Sequence, residues 1–224
     1  MNYHTLTIVE NYNFDETWPR FVTLLYNLFP SLDTLEKSGL PIWRDFEEPW
    51  AIFSDIESGL IPQILEFTQN EDESFIHPSA RIGKGVEIEG SCYIGENVEI
   101  RHSAFIRKGS WLCKGSLVGH SSEVKNSILL PGSKAPHFNY VGDSILGTGV
   151  NLGAGTKLSN VRNDGRGVYV TLQDGSRRDS RLRKLGALIG DGSQLGCNVV
   201  TNPGTMILPG KMIDPNETVS RFIG

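Results

Sequence analysis

Several features that place a protein outside the cell, in a membrane or on nucleic acid are missing from this sequence. Cysteine occurs only at Cys92, Cys113 and Cys197, with no C-x-x-C pair. This odd, scattered set argues against a disulfide framework and fits reduced thiols in a cytoplasmic protein. Cys92 falls on a small inward position, where packing is its expected role. No stretch reaches the roughly 18 apolar residues that read as a membrane-spanning helix, so no membrane partner is expected. The opening run MNYHTLTIVENYNFDETW has neither a basic end nor an apolar run, unlike a signal peptide. A net charge of −5 over 224 residues argues against a general binder of nucleic acid or anionic membranes. No glycine-rich phosphate loop follows a strand near the start, and residues 1–75 are too few for a nucleotide-binding α/β domain.

What is present is a repeat. From Ile76 an aliphatic residue returns at every sixth position, through Ile82, Ile88, Ile94, Ile100, Ile106, Leu112, Val118, Val124 and Leu130. Three places after each stands a residue suited to a corner, such as Ser79, Gly85, Asn97, Gly109 or Ser127. Helices need apolar spacing near 3.6 and antiparallel strands alternate with period two, so a period of six fits neither. A chain of short extended edges, each turning at a small residue and pointing one side chain inward, is a parallel β-helix. With three edges per coil, 18 residues advance the chain by one strand spacing, about 4.8 Å. Stacked Ile, Leu and Val, each worth about 1.5–3 kcal/mol when buried, fix the register.

Residues 1–75 do not repeat and read as an α-helical cap on the open first coil. An acidic first turn at Asn13–Glu16 opens one helix, which ends at Pro30. Ser31 to Lys37 reads as a second, and a third starts near Glu48 and runs to Leu65 with a kink at Pro62. Residues 76–224 form the β-helix, broken twice. After Leu130 the next inward candidate is Tyr140, so 131–139 reads as a bulging loop. The repeat resumes at Leu146, Leu152 and Leu158, and breaks again over 161–188. That second excursion carries Arg162, Arg166, Arg177, Arg178, Arg181, Arg183 and Lys184 against three aspartates, with a hairpin expected at Val168–Leu172 and Asp174-Gly175. The repeat returns at Ile189, Leu195, Thr201, Ile207 and Ile213, for roughly six coils.

The copies Ile82-Gly83-Lys84-Gly85-Val86 and Ile94-Gly95-Glu96-Asn97-Val98 resemble hexapeptide acyltransferases, which implies an all-β, left-handed β-helix. The stretch from Val118 to Thr156, with its G-S-K-x-x-H-x-x-Y-x-G-D core at Gly132–Asp143, resembles the acetyltransferase half of the bifunctional enzymes that make UDP-N-acetylglucosamine. The Pro49-Trp50 helix is similar to the linker joining nucleotidyltransferase domains to such repeats. The resemblance implies transfer of an acetyl group from acetyl-CoA to an amino-sugar phosphate of the glucosamine 1-phosphate type, without a metal. It implies His137 as general base, a role suited to an imidazole with an ordinary pKa near 6.5. It implies that Arg107, Lys125, Tyr140 and Asn151 hold the sugar phosphate, and that Ala154, Asn160, Lys184 and Cys197 lie toward the coenzyme. It also implies a homotrimer with sites between subunits.

This sequence departs from that family on the coenzyme side. Asn160 stands without the family's following tyrosine, Lys184 replaces a lysine of a shorter loop, and Cys197 falls near a family serine. The basic excursion could itself hold coenzyme phosphates. A histidine-bound zinc, as in γ-class carbonic anhydrases, is disfavoured because His102 and His120 stack one coil apart while His137 falls in the bulge. The second functional reading is a non-catalytic sugar-phosphate-binding or oligomerising module derived from a nucleotidyltransferase.

Overall fold

The computed structural model describes residues 20–43, 48–54, 57–68, 70 and 72–224; the acidic turn at Asn13–Glu16 lies outside them. From Phe75 the chain winds as a three-sided parallel β-helix whose faces are sheets of eight, seven and seven short strands among the described residues. The first face runs from Phe75–Ile76 through Tyr93–Ile94 and Trp111–Leu112 to Phe222–Ile223, the second from Arg81–Ile82 to Met212–Ile213, and the third from Glu87–Ile88 to Thr218–Val219. Rungs pair in parallel, Tyr93↔Trp111 and Ile94↔Leu112 for example. The inward column is one continuous apolar core including Ile94, Ile100, Ile106, Leu112, Val118 and Val124.

The expected loop at 131–139 is corrected. Lys134–His137 is a strand of the second face, pairing Ala135 with Val118 and His137 with His120. The inward residues here are Leu129, Ala135 and Val141, not Leu130 and Tyr140. The cause is a shortened edge. Asn126 and Asp143 turn their corners in the left-handed region, at φ 43° and 47°, one residue earlier than the usual corner. The inward column therefore steps by five residues from Val124 to Leu129, and again from Val141 to Leu146. A fixed period of six passes over Ala135 and Val141, and seven complete coils result. Gly119 permits the strand beside it, because a Cβ there would sit 1.6 Å from the Pro136 carbonyl oxygen.

The N-terminal segment also differs from expectation. Its described residues form the α-helices Arg20–Leu28 and Leu60–Leu65, with 3₁₀ turns at Pro30–Asp33 and Pro49–Phe53. Pro62 is the third residue of its helix, where a missing N–H costs no intrahelical bond and no kink is required. These elements lie along the side of the solenoid. Leu28, Phe29, Trp50, Ile52 and Ile64 pack with Tyr93, Trp111, Ile128, Ile145, Leu188 and Met206. Those six are outward residues of the first face, as are Phe75 and Phe222, and that face is apolar on both sides, whereas the second face presents Arg81, Glu99, Lys134 and Asn151 outward. An outer apolar strip loses free energy to water until it is covered. At the first coil, Ile76 and Ile82 remain 44% and 42% exposed. The attachment is specific: Trp111 Nε1 donates to the Gly39 carbonyl at 3.0 Å, and Asp191 accepts from Ser31 N at 2.9 Å.

Candidate functional site

His137 ends its strand at the corner between the second and third faces, with its side chain exposed. The buried Asn139 holds that corner. Its Oδ1 accepts the His137 backbone N–H at 2.9 Å, and its Nδ2 donates to the Gly153 carbonyl at 2.8 Å. Between them Phe138 adopts φ 51° and is 57% exposed, a strained backbone for a bulky residue. Its ring meets His120 edge-on at 5.0 Å. His102 and His120 stack at 4.1 Å, and His137 continues that column one rung further.

The next rungs of the corner carry Ala154 and Cys197. Gly155 N donates to the His137 carbonyl at 2.9 Å and Asn198 N to the Ala154 carbonyl at 2.8 Å, so the ladder is unbroken. Cys197 is exposed, whereas Cys92 and Cys113 are buried. The histidine column is in register, which removes the earlier ground for setting zinc aside. Among the described residues, no group of three or more His, Cys, Asp or Glu side chains is placed to hold a metal ion.

Arg107 and Lys125 pair on adjacent rungs at the far edge of the third face, and Lys125 pairs with Gly142 on the next. Arg107 reaches Glu123 at 2.9 Å and Glu89 at 3.6 Å, while Lys125 lies 3.5 Å from Asp143. Asp143 is 3% exposed and accepts from Asn126 at 2.8 Å and also from the Asn160 amide. Burial, and secondarily the charge of Glu123, push the Tyr140 phenol above its ordinary pKa. A hydrogen bond with Asn160 acts in the opposite direction. The structure thus gathers Lys125, Tyr140 and Asn160 around Asp143, with Arg107 on the rung beside Lys125.

Asn160, expected on the coenzyme side, therefore sits with Lys125 and Tyr140, two of the residues expected to hold the sugar phosphate. Asn151 does not: it is outward on the second face, between Lys134 and Gln194. Lys184 lies at the neck of the excursion, bridged to Val161. Within one chain His137 and the Arg107–Lys125 pair stand at opposite edges of the third face, separated by the strand Tyr140–Gly142. The two cations face three carboxylates, Glu89, Glu123 and Asp143. A phosphate would have to displace Glu89 and Glu123 from Arg107.

A further concavity of about 610 Å³ lies between the excursion and the last coils, lined by Arg162, Arg177, Arg221, Tyr169 and Asn202 among others. The expected hairpin forms its outer wall, pairing Tyr169–Thr171 with Arg177–Asp179.

A three-sided β-helix of hexapeptide type is the class that this fold defines. The family described as "GMPPB C-terminal domain" matches residues 70–162 and 89–223. The chain belongs to that family. It is 38% identical over 192 residues to the bifunctional sugar-1-phosphate nucleotidylyltransferase/acetyltransferase of Sulfurisphaera tokodaii, covering 81% of this chain and 47% of that protein. It is 31% identical over 199 residues to the bifunctional protein GlmU of Methanococcus aeolicus, covering 81% and 45%. The chain spans about half the length of the curated relatives it matches. Among solved structures, the acetyltransferase domain of PglB from Neisseria gonorrhoeae aligns with a TM-score of 0.36 at 17% identity, covering 66% of this chain and 50% of that one.

Proposed function

We propose that this chain transfers the acetyl group of acetyl-CoA to the amine of an amino-sugar phosphate of the glucosamine 1-phosphate type. The observation that carries the reading is the exposed His137 imidazole, held at a corner fixed by the Asn139 clamp. In the reaction, an imidazole nitrogen of His137 accepts a proton from the amine as the amine nitrogen bonds to the thioester carbonyl carbon. The tetrahedral adduct collapses by breaking the carbon–sulfur bond. The departing thiolate takes up a proton and leaves an amide on the sugar.

Arg107, Lys125 and Tyr140 are the sugar-phosphate side, with Asn151 a contributor from the second face. Ala154, Lys184 and Cys197 lie toward the acyl donor, while Asn160 joins the sugar-phosphate side through Asp143. The reading includes a homotrimer, in which a second copy packed on the third face sets its own residues opposite His137. No metal takes part in these steps.

The test is thiol release from acetyl-CoA in the presence of glucosamine 1-phosphate. His137→Ala should lower turnover by about 10²–10⁴ with a smaller effect on substrate binding. Unchanged turnover in that variant excludes His137 as the base. The carboxylates paired with Arg107 favour a second reading, a sugar-phosphate-binding or oligomerising module without catalysis. Binding of the sugar phosphate by calorimetry with no thiol release would select it.

A further inference from the structure

The cleft beneath the hairpin differs electrostatically from the Arg107–Lys125 group. Three guanidinium groups, those of Arg162, Arg177 and Arg221, line it against the single carboxylate of Asp164. Asp164 is bound to Arg162 through two hydrogen bonds, one at 2.9 Å. Arg177 and Arg221 form no ion pair among the described residues, on a chain of net charge −5. The Arg177 guanidinium lies 5.0 Å over the Tyr169 ring, which orients it and restricts its freedom.

The cleft is also preformed. Val168, Val170, Leu182 and Leu185 anchor the excursion in the apolar cluster on the first face. Gly204 lets the hairpin approach, since a Cβ there would stand 2.5 Å from the Tyr169 carbonyl oxygen. Gly204 N also donates to the Gly186 carbonyl at 2.8 Å. Arg221 adds a third observation. It adopts φ 70°, where most corners of this solenoid carry Gly, Ser or Asn. A left-handed conformation is strained for an L-residue with a Cβ. That corner puts Arg221 in the lining of the cleft.

We infer that this cleft binds a phosphate ester of nucleotide size, with Arg177 and Arg221 as ligands of the phosphate and Arg162 closing one side. A volume of about 610 Å³ falls within the range of sites for small molecules and cofactors. The fork of a guanidinium matches phosphate oxygens in pairs. Amide and hydroxyl groups such as Asn202 suit the sugar hydroxyls of such a ligand. This site is distinct from the His137 corner and does not depend on the acetyl-transfer reading. The nucleotide end of coenzyme A and a nucleoside diphosphate share the required chemistry.

Calorimetry with adenosine 3′,5′-bisphosphate, uridine 5′-diphosphate and inorganic phosphate distinguishes those sources. One of the two nucleotides should bind once per chain and more tightly than phosphate. Arg177→Ala and Arg221→Gly should each weaken it about 10- to 100-fold, while His137→Ala leaves it unchanged. Arg221→Gly suits the left-handed backbone, so its thermal unfolding should occur at or above that of the unaltered chain. Binding of neither nucleotide at millimolar concentration overturns the inference. So does undiminished binding in Arg177→Ala and Arg221→Gly.

Discussion

The backbone N–H of His137 donates to Oδ1 of Asn139 at 2.9 Å, and the same Asn139 side chain reaches across to the Gly153 carbonyl of the next coil. One buried amide thereby joins the exposed histidine to the rung above it. Asn139→Ala leaves both backbone groups without that partner. It should destabilise the fold by about 1–3 kcal/mol, seen in denaturant titration. If His137 is the base, turnover should fall at least tenfold with a smaller change in KM, because the imidazole loses its placement. An Asn139→Ala chain with full turnover would separate the clamp from catalysis.

Gly119 and Gly115 make a controlled pair. Ala at 119 would place its Cβ 1.6 Å from the Pro136 oxygen, whereas Ala at 115 meets nothing within 4 Å and bears only the strain of φ 67°. Gly115→Ala should cost about 1–2 kcal/mol. Gly119→Ala should cost more than twice that and loosen the strand Lys134–His137, which hydrogen exchange would report as lost protection at Phe138 and Tyr140. Equal unfolding temperatures for the two variants would contradict the pairing of those strands.

The thiols predict both a labelling pattern and an alkaline limit. Burial pushes the Cys92 thiol up to about 11 and raises that of Cys113 still further. Folding therefore favours the protonated thiols. Their contribution is complete below the ordinary thiol pKa of about 8.5, and it is lost as pH rises toward 11, because only the unfolded chain releases those protons in that window. Unfolding temperature should decline between pH 9 and 11, and less steeply in Cys113→Ala. In the native chain at pH 8 a thiol reagent should label Cys197 alone. Rapid labelling of all three would disprove the burial of the other two.

Assembly is separable from chemistry. Sedimentation should give three times the 24.7 kDa of one chain if the catalytic groups meet between subunits. A monomer at micromolar concentration would rule out that arrangement of His137 and the Arg107–Lys125 pair.

The solenoid and its inward column were legible because each sixth residue buries one side chain, so the core is written at a fixed spacing from Ile76 to Val124. The reading failed where a corner shortened. Nothing in the local sequence marks Asn126 as the turn rather than Ser127, so a fixed period of six assigns Leu130 inward and reads the strand carrying His137 as a loop, although Asp143 stands at the corner that the spacing gives it. The covered first face was legible in principle. Paired apolar residues at Trp111-Leu112, Ile128-Leu129 and Ile145-Leu146 announce a strip with two apolar sides. Neither the Asp143 group nor the cleft at Arg177 and Arg221 had such a signal, because their members come from segments 17 to more than 40 residues apart.

By itself, then, the sequence determined the parallel β-helix, the hairpin within a basic excursion, and the residue types available for an acyl transfer. Periodic burial and turn chemistry are local properties, and a linear pattern can record them. Only the tertiary structure decided which residues meet. Coil register set His137 beside His120 and placed Asn160 with Lys125. The docking of the excursion on Gly204 brought Arg177 to Arg221. Those contacts depend on the summed lengths of intervening edges, and a single shortened corner changes every rung that follows it.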